Sequence, residues 1–406
     1  MITRRVAWLV ATGRADAGGV LAITFTNKAA RELRERVEAL LPARGMWVGT
    51  FHATCARLLR REIDALPPFT RDFSIYDTHD RNVLLKELVK ELGYDTTRFR
   101  PGMVGAWISA RKNSAPEAGD ERGGFEVELL LRVAERYEQA LKDRNALDFD
   151  DLLLRTLEVF ERVPGALERY AARFRHVLVD EYQDTNHVQY LLTRALSGFH
   201  GNLTVCGDPD QSIYAWRGAD ISNILDFERD FPGAAVVKLE RNYRSTKTIL
   251  AAAQGVIRHN RGRVEKSLWS DGAEGEPLVL VEAGDENEEA DEIAARIAGL
   301  VAAGASHADV AVFYRVNFQQ RALERGLRLA GIPYRIAGGV EFYQRREVRD
   351  LTAYLQLLAN PADDVACARV LNVPARGIGD KSVERLAAFA ADRRVPLARA
   401  IQSPEA

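Results

Sequence analysis

Two adjacent carboxylates, Asp180 and Glu181, follow a short apolar run in the 406-residue sequence. The run at 176–179 has the composition of a buried parallel strand, so the pair lies where that strand ends. A carboxylate there can hold Mg²⁺, directly or through water, and its neighbour can orient and deprotonate an attacking water molecule. The pattern predicts a nucleotide site with Asp180 as metal ligand and Glu181 as base. An acidic turn after a strand is the alternative interpretation.

The segment at 205–218 follows a second apolar run and combines a glutamine with aromatic and cationic side chains. Gln211 lies just past the predicted strand end, where its amide can hydrogen-bond to a γ-phosphate. Tyr214, Trp216 and Arg217 interleave aromatic faces with a cation, which suits stacking on the bases of a single strand. A turn followed by core aromatics is the alternative for the same residues.

Two further regions contain residues suited to phosphate. In the segment at 239–245, Arg244 can reach a γ-phosphate from a second domain as an arginine finger, and Tyr243 can stack on an adenine ring. Polar residues also follow two predicted strands near the N-terminus, where helix amides add donors for phosphate. The candidate contacts to a nucleic-acid backbone there are Thr24, Asn27, Thr50 and His52. For His52 alone, a purely structural histidine is the alternative.

Short apolar runs alternate with amphipathic stretches, which predicts an α/β fold with parallel sheets. Residues from about 74 to 144 have helical spacing instead and predict an inserted helical subdomain. Asn27 is the predicted N-cap of the first helix after a strand. The predicted strands are 20–26, 46–51, 176–181, 203–208, 235–239, 277–283, 310–314 and 334–336.

Composition narrows the class of protein. Hydrophobic residues make up 47% and charged residues 28%, as in ordinary folded proteins, and no apolar run approaches the roughly 20 residues that span a bilayer. We therefore expect no membrane partner. The net charge of −2 means that any DNA contact must come from a local patch. Cys55, Cys206 and Cys367 form neither a disulfide framework nor a zinc motif, which favours the cytoplasm.

In their order and wording, these segments resemble the UvrD/PcrA/Rep family of superfamily 1 DNA helicases over nearly the whole chain. TFTNKAARELRERV resembles motif Ia, GTFHATCARLLR motif Ib, VDEYQDTNHVQ motif II, GDPDQSIYAWRGA motif III and LERNYRS motif IV. The same family pattern continues in FYRVNFQQRALERGL, GIPYRIAGGVEFYQRREVRDLTAYL and NVPARGIGDKSVERL.

The resemblance implies two RecA-like parallel-sheet domains, each incomplete, with helical insertions. It implies ATP between the domains, single-stranded DNA across their tops, and movement 3′ to 5′ with separation of the duplex ahead. The implied partners are single-stranded DNA, junctions of single and double strands, and repair or replication proteins. The implied domains are 1–70 with 148–241 (first RecA-like domain), 71–147 (its helical insertion), 242–362 (first part of the second RecA-like domain) and 363–406 (start of the second insertion).

The family pattern also assigns roles to individual residues. ATP and Mg²⁺ are the implied cofactors, with Asp180 and Glu181 as the magnesium and water-activating pair. Gln211 and Arg244 are implied to meet the γ-phosphate, and Tyr243 is implied to stack on the base. The implied DNA contacts are Phe25, Tyr214 and Trp216, which stack on bases, and Gly377, Ile378 and Gly379, a turn whose amides approach duplex phosphates.

The phosphate-binding motif G-x-x-x-x-G-K-[ST] does not occur in these 406 residues, and neither do motifs V and VI of the family. The amides and lysine of that loop cradle the β- and γ-phosphates and help to position Mg²⁺. We therefore expect the chain to be a fragment, truncated at both ends, that by itself hydrolyses ATP negligibly and does not unwind DNA. The alternatives are an ATPase-deficient module that binds single-stranded DNA or another protein, and the helicase half of a helicase–nuclease.

Overall fold

The computed structural model describes residues 1–114, 124–260, 263–337 and 345–403. The chain divides into two compact units. Unit 1 comprises Met1–Val237, Asn260–Glu265 and Arg349–Ala406, and unit 2 comprises Lys238–His259 and Lys266–Val348. The domain boundaries expected from the resemblance remain predictions.

Six strands form two parallel sheets in the described residues. They are β1 (Val20–Thr24), β2 (Trp47–Thr50), β3 (Ser74–Tyr76), β4 (Ala146–Asp148), β5 (His176–Val179) and β6 (Leu203–Val205). The large sheet has the order β2-β1-β5-β6, and β3 pairs with β4 in the small one. In the large sheet Ala22 lies opposite Val48 on one side and Leu178 on the other. The predicted α/β class with parallel sheets is confirmed.

Helices occupy most of the remaining described chain. In chain order they are α1 (Ile2–Ala11), α2 (Asn27–Glu38), α3 (Phe51–Glu62), α4 (Thr78–Glu91), α5 (Pro101–Asn113), α6 (Phe125–Asp143), α7 (Phe149–Arg162), α8 (Ala166–Arg173), α9 (His187–Ser197), α10 (Ser222–Leu225), α11 (Phe227–Asp230), α12 (Lys247–Ile257), α13 (Glu286–Ala302), α14 (Gln320–Leu329), α15 (Arg346–Ala359), α16 (Asp364–Val370), α17 (Asp380–Arg393) and α18 (Leu397–Ala400). Within the described ranges, none of these helices is both long and apolar enough to cross a membrane.

The large sheet is covered on both faces. Leu21 and Ile23 of β1 pack in one core with residues of α3, α7 and α9, and Val20 and Ala22 pack in a second core with α1 and α2. All five residues of β1 are therefore buried. Burial on both faces explains why this strand is a continuous apolar run rather than an alternating pattern.

The helical block from α4 to α6 has a separate core, which includes Leu88, Val104 and Val133. The two segments that connect this block to the large-sheet core pair with each other as β3 and β4, with Ser74 opposite Ala146. The sequence predicted helices alone for this region. Strands of three residues are too short to show a period in the sequence, which is why both were missed.

A buried lysine joins the helical block to α7. The Lys112 ammonium lies 2.6 Å from Glu138 Oε1, 2.9 Å from Asp151 Oδ1 and 3.1 Å from Asp148 Oδ2. Asp148 and Asp151 also form the capping box at the start of α7. Charge-assisted contacts therefore hold the block in place in addition to its apolar packing.

The segment between α15 and α16 contacts the same block through buried polar groups. The Tyr76 hydroxyl donates to Asp363 Oδ1 over 2.9 Å. The Asn360 amide donates to the carbonyls of Arg144 and Asn145 over 2.9 and 3.0 Å. The Tyr76 hydroxyl and the Asn360 amide therefore have their hydrogen-bond partners within the fold, which makes this junction a specific one.

Unit 2 has α-helical packing in the part that the structure describes. Ala294 and Ile297 of α13 pack against Leu327 of α14. The two helices approach closely at Gly326, where a Cβ would lie 2.9 Å from the Ala290 carbonyl oxygen. The small residue is therefore required by the packing.

The strands predicted at 235–239, 277–283, 310–314 and 334–336 are not found among the described residues. A strand is defined by the hydrogen bonds to its neighbour, and these segments have no ladder partner within the described ranges. Their apolar side chains are largely exposed, with Leu280 at 97% and Phe313 at 93%. The four strand predictions are therefore wrong for this structure, because composition indicates strand potential but not the presence of a partner.

Candidate nucleotide and nucleic-acid sites

The carboxyl ends of β1, β2 and β5 bring predicted residues to one edge of the large sheet. Thr24 and Thr50 are the last residues of their strands and lie opposite each other in the register. Asp180 directly follows β5, and its amide donates to the Ile23 carbonyl over 2.9 Å. In open parallel sheets this is the edge at which ligands bind.

Asp180 is half-buried and Glu181 is exposed at the end of β5. Burial, followed by the neighbouring Glu181 carboxylate, raises the pKa of Asp180 above its ordinary value, whereas the Met1 ammonium acts in the opposite direction. Glu181 has a left-handed backbone, with φ of 51°. Such a conformation is uncommon outside glycine, and strained residues of this kind concentrate at functional sites.

Gln183 holds Glu181 in position, although the sequence analysis did not select it. Its buried amide nitrogen donates to Glu181 Oε2 over 2.9 Å, and its Oε1 accepts the Asp208 amide over 2.9 Å. Gln211 in turn donates to Asp208 Oδ2 over 2.6 Å. A continuous set of hydrogen bonds therefore connects Glu181 with Gln211. The one signal in the sequence was the position of Gln183, two residues after Glu181.

Gly207 is required by the packing around Gln183. A Cβ at this position would lie 2.6 Å from Gln183 Oε1, 2.8 Å from Ile224 Cδ1 and 3.1 Å from the Tyr182 amide nitrogen. The backbone of Gly207 therefore lies directly against the Gln183 side chain and fixes its position.

Asp180 and Glu181 suit a magnesium ion that is completed by phosphate oxygens. Among the described residues, no group of three or more His, Cys, Asp or Glu side chains could hold a metal ion by itself. Magnesium is usually held by one or two carboxylates together with water and substrate phosphates. The two neighbouring carboxylates supply such a donor set, and a cation would relieve the repulsion that raises the pKa of Asp180.

Phe25, Tyr214, Trp216 and Arg217 form a continuous array of aromatic and cationic groups. The ring centroids of Phe25 and Tyr214 are 5.1 Å apart, and those of Tyr214 and Trp216 are 6.5 Å apart. The Arg217 guanidinium lies 4.6 Å from the centroid of the Trp216 ring. Trp216 is 65% exposed, so the interpretation as a core aromatic is wrong for this residue. Exposed rings arranged in this way can stack on successive bases.

The predicted backbone contacts have local structural roles at the helix starts. Thr26, rather than the predicted Asn27, is the N-cap of α2, and its hydroxyl accepts an amide hydrogen bond from three residues further along. Thr50 caps α3 in the same way. The Thr24 hydroxyl donates to the Thr26 carbonyl over 3.1 Å. Asn27 is exposed in the first turn of α2, where its side chain can reach a ligand.

His52 lies in the first turn of α3 and packs edge-on against Phe149, with ring centroids 5.7 Å apart. Burial lowers the pKa of His52, and the carboxylates of Asp150 and Asp148 oppose that effect. The ring is therefore neutral at neutral pH. It can offer a phosphate a hydrogen bond but no charge.

A cavity of about 370 Å³ in unit 2 is lined by 241–246 and 270–273. The Arg241 guanidinium lies 4.7 Å from the Tyr243 ring centroid and 2.5 Å from Asp271. Tyr243 remains 81% exposed, so its ring is accessible to a base. The cavity thus contains the tyrosine predicted to stack on adenine.

Arg244 lies next to Tyr243 in the same turn. The Asn242 side chain accepts the amides of Arg244 and Ser245 over 2.9 and 2.8 Å, which fixes the backbone that precedes α12. The Arg244 side chain is exposed. Its guanidinium is therefore accessible to an anionic ligand.

The turn formed by Gly377, Ile378 and Gly379 directly precedes α17. Gly377 has φ of +74°, a conformation that favours glycine. A Cβ at Gly377 or Gly379 would have no atom within 4 Å, so this backbone is open to solvent. The amides of the turn are accessible to a phosphate.

The chain matches two helicase domain families along its length. Residues 1–232 match the UvrD/REP helicase N-terminal domain, and residues 237–404 match the UvrD-like helicase C-terminal domain. The chain is 44% identical to the ATP-dependent DNA helicase PcrA of Bacillus subtilis over 408 residues, which cover 99% of this chain and 55% of the relative. It is 47% identical to the ATP-dependent DNA helicase UvrD1 of Mycobacterium bovis over 406 residues, which cover 96% and 53%. The chain therefore spans about half the length of the curated relatives that it matches. By these matches, the chain belongs to the UvrD/REP helicase family.

Proposed function

We propose that this chain provides the catalytic carboxylates and the single-strand contact surface of an ATP-dependent DNA helicase that moves 3′ to 5′. The observation that supports this most is the hydrogen-bonded path from Glu181 through Gln183 and Asp208 to Gln211. Gln211 is three residues before Tyr214, the central ring of the aromatic array. Nucleotide chemistry and DNA contact are therefore proposed to lie on one continuous segment.

In this proposal, ATP binds with Mg²⁺ held by Asp180. Glu181 orients the attacking water and accepts its proton, since its carboxylate is exposed while Gln183 fixes its position. Gln211 and Arg244 donate to the γ-phosphate, where negative charge must be stabilised in the transition state. Tyr243 stacks on the adenine ring.

The proposed DNA contacts are of three kinds. Phe25, Tyr214 and Trp216 stack on bases of the single strand, and Arg217 adds a cation close to two of these rings. The strand's phosphates contact a second group of residues: Thr24, Asn27, Thr50 and His52. The open turn at Gly377, Ile378 and Gly379 meets the duplex at a junction. Repair or replication proteins remain predicted partners.

The stacking surface can be tested with the chain as it is. A Trp216→Ala variant removes one ring of the array and is expected to weaken binding of a labelled oligo-dT by about 1–3 kcal/mol in an anisotropy titration. Trp8→Ala is the matched control, because Trp8 is also exposed and flanked by two arginines but lies outside the array. Equal affinities for Trp216→Ala and the wild type would show that this array is not the platform.

We further propose that the 406-residue chain alone hydrolyses ATP negligibly, because its sequence contains no G-x-x-x-x-G-K-[ST] loop. DNA-stimulated release of phosphate is the measurement. Robust turnover that Glu181→Gln abolishes would refute the proposed inactivity and support the proposed base. Binding of oligo-dT without turnover is expected, and it is also the behaviour of the alternative, a module that binds single-stranded DNA without ATPase activity. Adding a G-x-x-x-x-G-K-[ST] loop to the chain separates these two functions, since only a helicase would then gain ATP hydrolysis.

A further inference from the structure

Three arginines lie against Trp47, the first residue of β2, and a fourth contacts the next residue of the strand. The guanidinium carbons of Arg57, Arg61 and Arg173 lie 3.9, 5.5 and 5.1 Å from the centroid of the Trp47 ring. Arg34 donates to the carbonyl of Val48, the next residue of the same strand, over 2.9 Å. We call Arg34, Arg57, Arg61 and Arg173 the arginine quartet. Its members come from α2, α3 and α8, so only the tertiary fold brings them together.

The positive charge of the quartet is not neutralised within the part of the chain that the structure describes. None of its four side chains forms an ion pair there, whereas the nearby Arg36 and Arg169 pair with Glu32 and Glu62. All four side chains are exposed. Like charges that are held together without a counter-charge repel one another, and an anionic ligand would relieve that repulsion.

The electrostatics of Arg57 agree with this geometry. Burial, followed by the neighbouring guanidiniums of Arg61, Arg173 and Arg34, lowers the pKa of Arg57. The chain as a whole has a net charge of −2, so this concentration of positive charge is local. Local basic patches of this kind attract polyanions.

The quartet lies near the amino end of β2, whereas Asp180 lies at the carboxyl ends of the parallel strands. Trp47 begins β2, whereas Thr50 ends it, and the two are separated by roughly 10 Å at about 3.3 Å per residue. Arg57 and Arg61 lie in the second half of α3, which starts where β2 ends and runs back along it. Arg173 is the last residue of α8 and precedes β5. This surface is therefore distinct from the proposed nucleotide and single-strand contacts.

We propose that the arginine quartet binds the sugar–phosphate backbone of double-stranded DNA. Guanidinium groups match phosphate oxygens in a bidentate geometry. Trp47 is 2% exposed and covered by the arginines, so it cannot stack on a base, and the patch offers charge alone. A contact of this type favours the duplex, which carries one charge per about 1.7 Å of axis, over a flexible single strand.

An acidic peptide is less suited to this surface. A peptide that adds to a sheet edge requires free backbone groups on the edge strand. The large sheet ends at β2, and Arg34 already occupies the Val48 carbonyl there. The surface therefore presents side-chain cations rather than a free strand edge.

The test measures binding of a short blunt-ended duplex to the 406-residue chain by fluorescence anisotropy at several salt concentrations. The triple variant Arg57→Ala, Arg61→Ala, Arg173→Ala is expected to reduce the slope of log K against log salt by about 2–3, since each phosphate contact contributes about 0.9. The affinity near 0.1 M salt is expected to fall by at least about tenfold. Binding of oligo-dT is expected to stay unchanged, which separates this proposal from the proposed single-strand surface.

A matched control removes the same charge elsewhere in unit 1. Arg98, Arg132 and Arg162 have exposed side chains that each pair with a glutamate, and their replacement by alanine changes the net charge equally. An equal loss of duplex affinity in this control and in the quartet variant would overturn the proposal, because the effect would then be one of net charge.

A second variant separates a binding role from a structural one. Replacing Arg57, Arg61 and Arg173 by lysine keeps the charge, and it is expected to keep most of the salt slope. If lysine and alanine variants lose duplex binding equally while their melting temperatures fall, the quartet is structural and the proposal is wrong. Poly-glutamate and unlabelled duplex are compared as competitors of the labelled duplex. If poly-glutamate displaced it at a lower concentration of negative charge, the surface would be assigned to an acidic protein instead.

Discussion

Lys112 offers a direct test of how the helical block is held on the rest of unit 1. Its ammonium contacts Glu138, Asp148 and Asp151, and its side chain is 10% exposed. The side chains of Asp148 and Asp151 are 5% and 1% exposed, whereas that of Glu138 is 30% exposed. Lys112→Met keeps much of the side-chain volume and removes the charge, so it leaves buried carboxylates without their cation.

Removing one partner from a buried ion pair costs about 3–5 kcal/mol of folding free energy. Because the Glu138 carboxylate is partly solvated, we expect the lower end, about 3 kcal/mol. At roughly 2–4 °C per kcal/mol for a domain of this size class, the melting temperature should fall by about 6–12 °C. Replacing Lys112 together with Asp148 and Asp151 by apolar groups would cost less, since no charge at these buried positions would then be left without its partner.

The loss should depend on pH in a defined direction. Burial raises the pKa of Asp151 to about 8, against the opposing effect of Lys112, and removal of the lysine raises it further. A carboxyl with a raised pKa binds its proton more tightly in the folded state, so its ionisation destabilises the fold as pH increases. The cost of Lys112→Met is therefore expected to be largest above about pH 8 and to shrink towards about pH 5.

Thermal denaturation of the variant and the wild type at these two pH values is the assay. Lys86→Met is the control, because Lys86 is exposed on α4 of the same block and should change stability by less than about 0.5 kcal/mol. A pH-independent difference, or a shift no larger than that of the control, would refute the argument that Lys112 neutralises buried charge.

Four further substitutions test other parts of unit 1 by thermal denaturation. Gly207→Ala should destabilise by about 1–3 kcal/mol, because its Cβ would meet the glutamine that positions Glu181; wild-type stability would show that this glutamine can move aside. Tyr76→Phe should cost about 1–3 kcal/mol, since it removes a hydrogen bond to the buried Asp363 carboxylate, whose Oδ1 then keeps the Ala366 amide as its donor, and a neutral effect would point to replacement by water. Thr26→Ala should cost about 1 kcal/mol and Asn27→Ala much less; the reverse order would contradict the observed cap.

The large sheet could be predicted from the sequence because its central strands, β1 and β5, are buried almost throughout. Its four strands are short and mostly apolar runs, and a polar residue ends β1 and β2 or directly follows β5. These local signals also gave the position of Asp180 and Glu181. Strands β3 and β4 were missed because each contributes three residues, and their pairing depends on contact across the whole helical block.

The site was predicted in part. Asp180, Glu181 and the aromatic residues were selected from local patterns, but the contact of Phe25 with Tyr214 follows from the fold alone. Gln183 was missed because its role depends on the Asp208 amide, which the chain brings back from β6. The arginine quartet was missed for the same reason, since three separate helices contribute to it.

The position of Gln183 has an energetic consequence for the proposed coupling between nucleotide and DNA. Its amide nitrogen is shared between the carboxylates of Glu181 and Asp184, at 2.9 and 3.2 Å. In the proposed function, the water molecule oriented by Glu181 would compete with the Gln183 amide for that carboxylate, and hydrogen bonds to charged groups contribute about 1.5–3 kcal/mol. This range matches the 1–3 kcal/mol that typically couples two sites. Because such coupling is reciprocal, any factor by which bound nucleotide changes the affinity of the proposed array for a strand would equal the factor by which the strand changes nucleotide affinity.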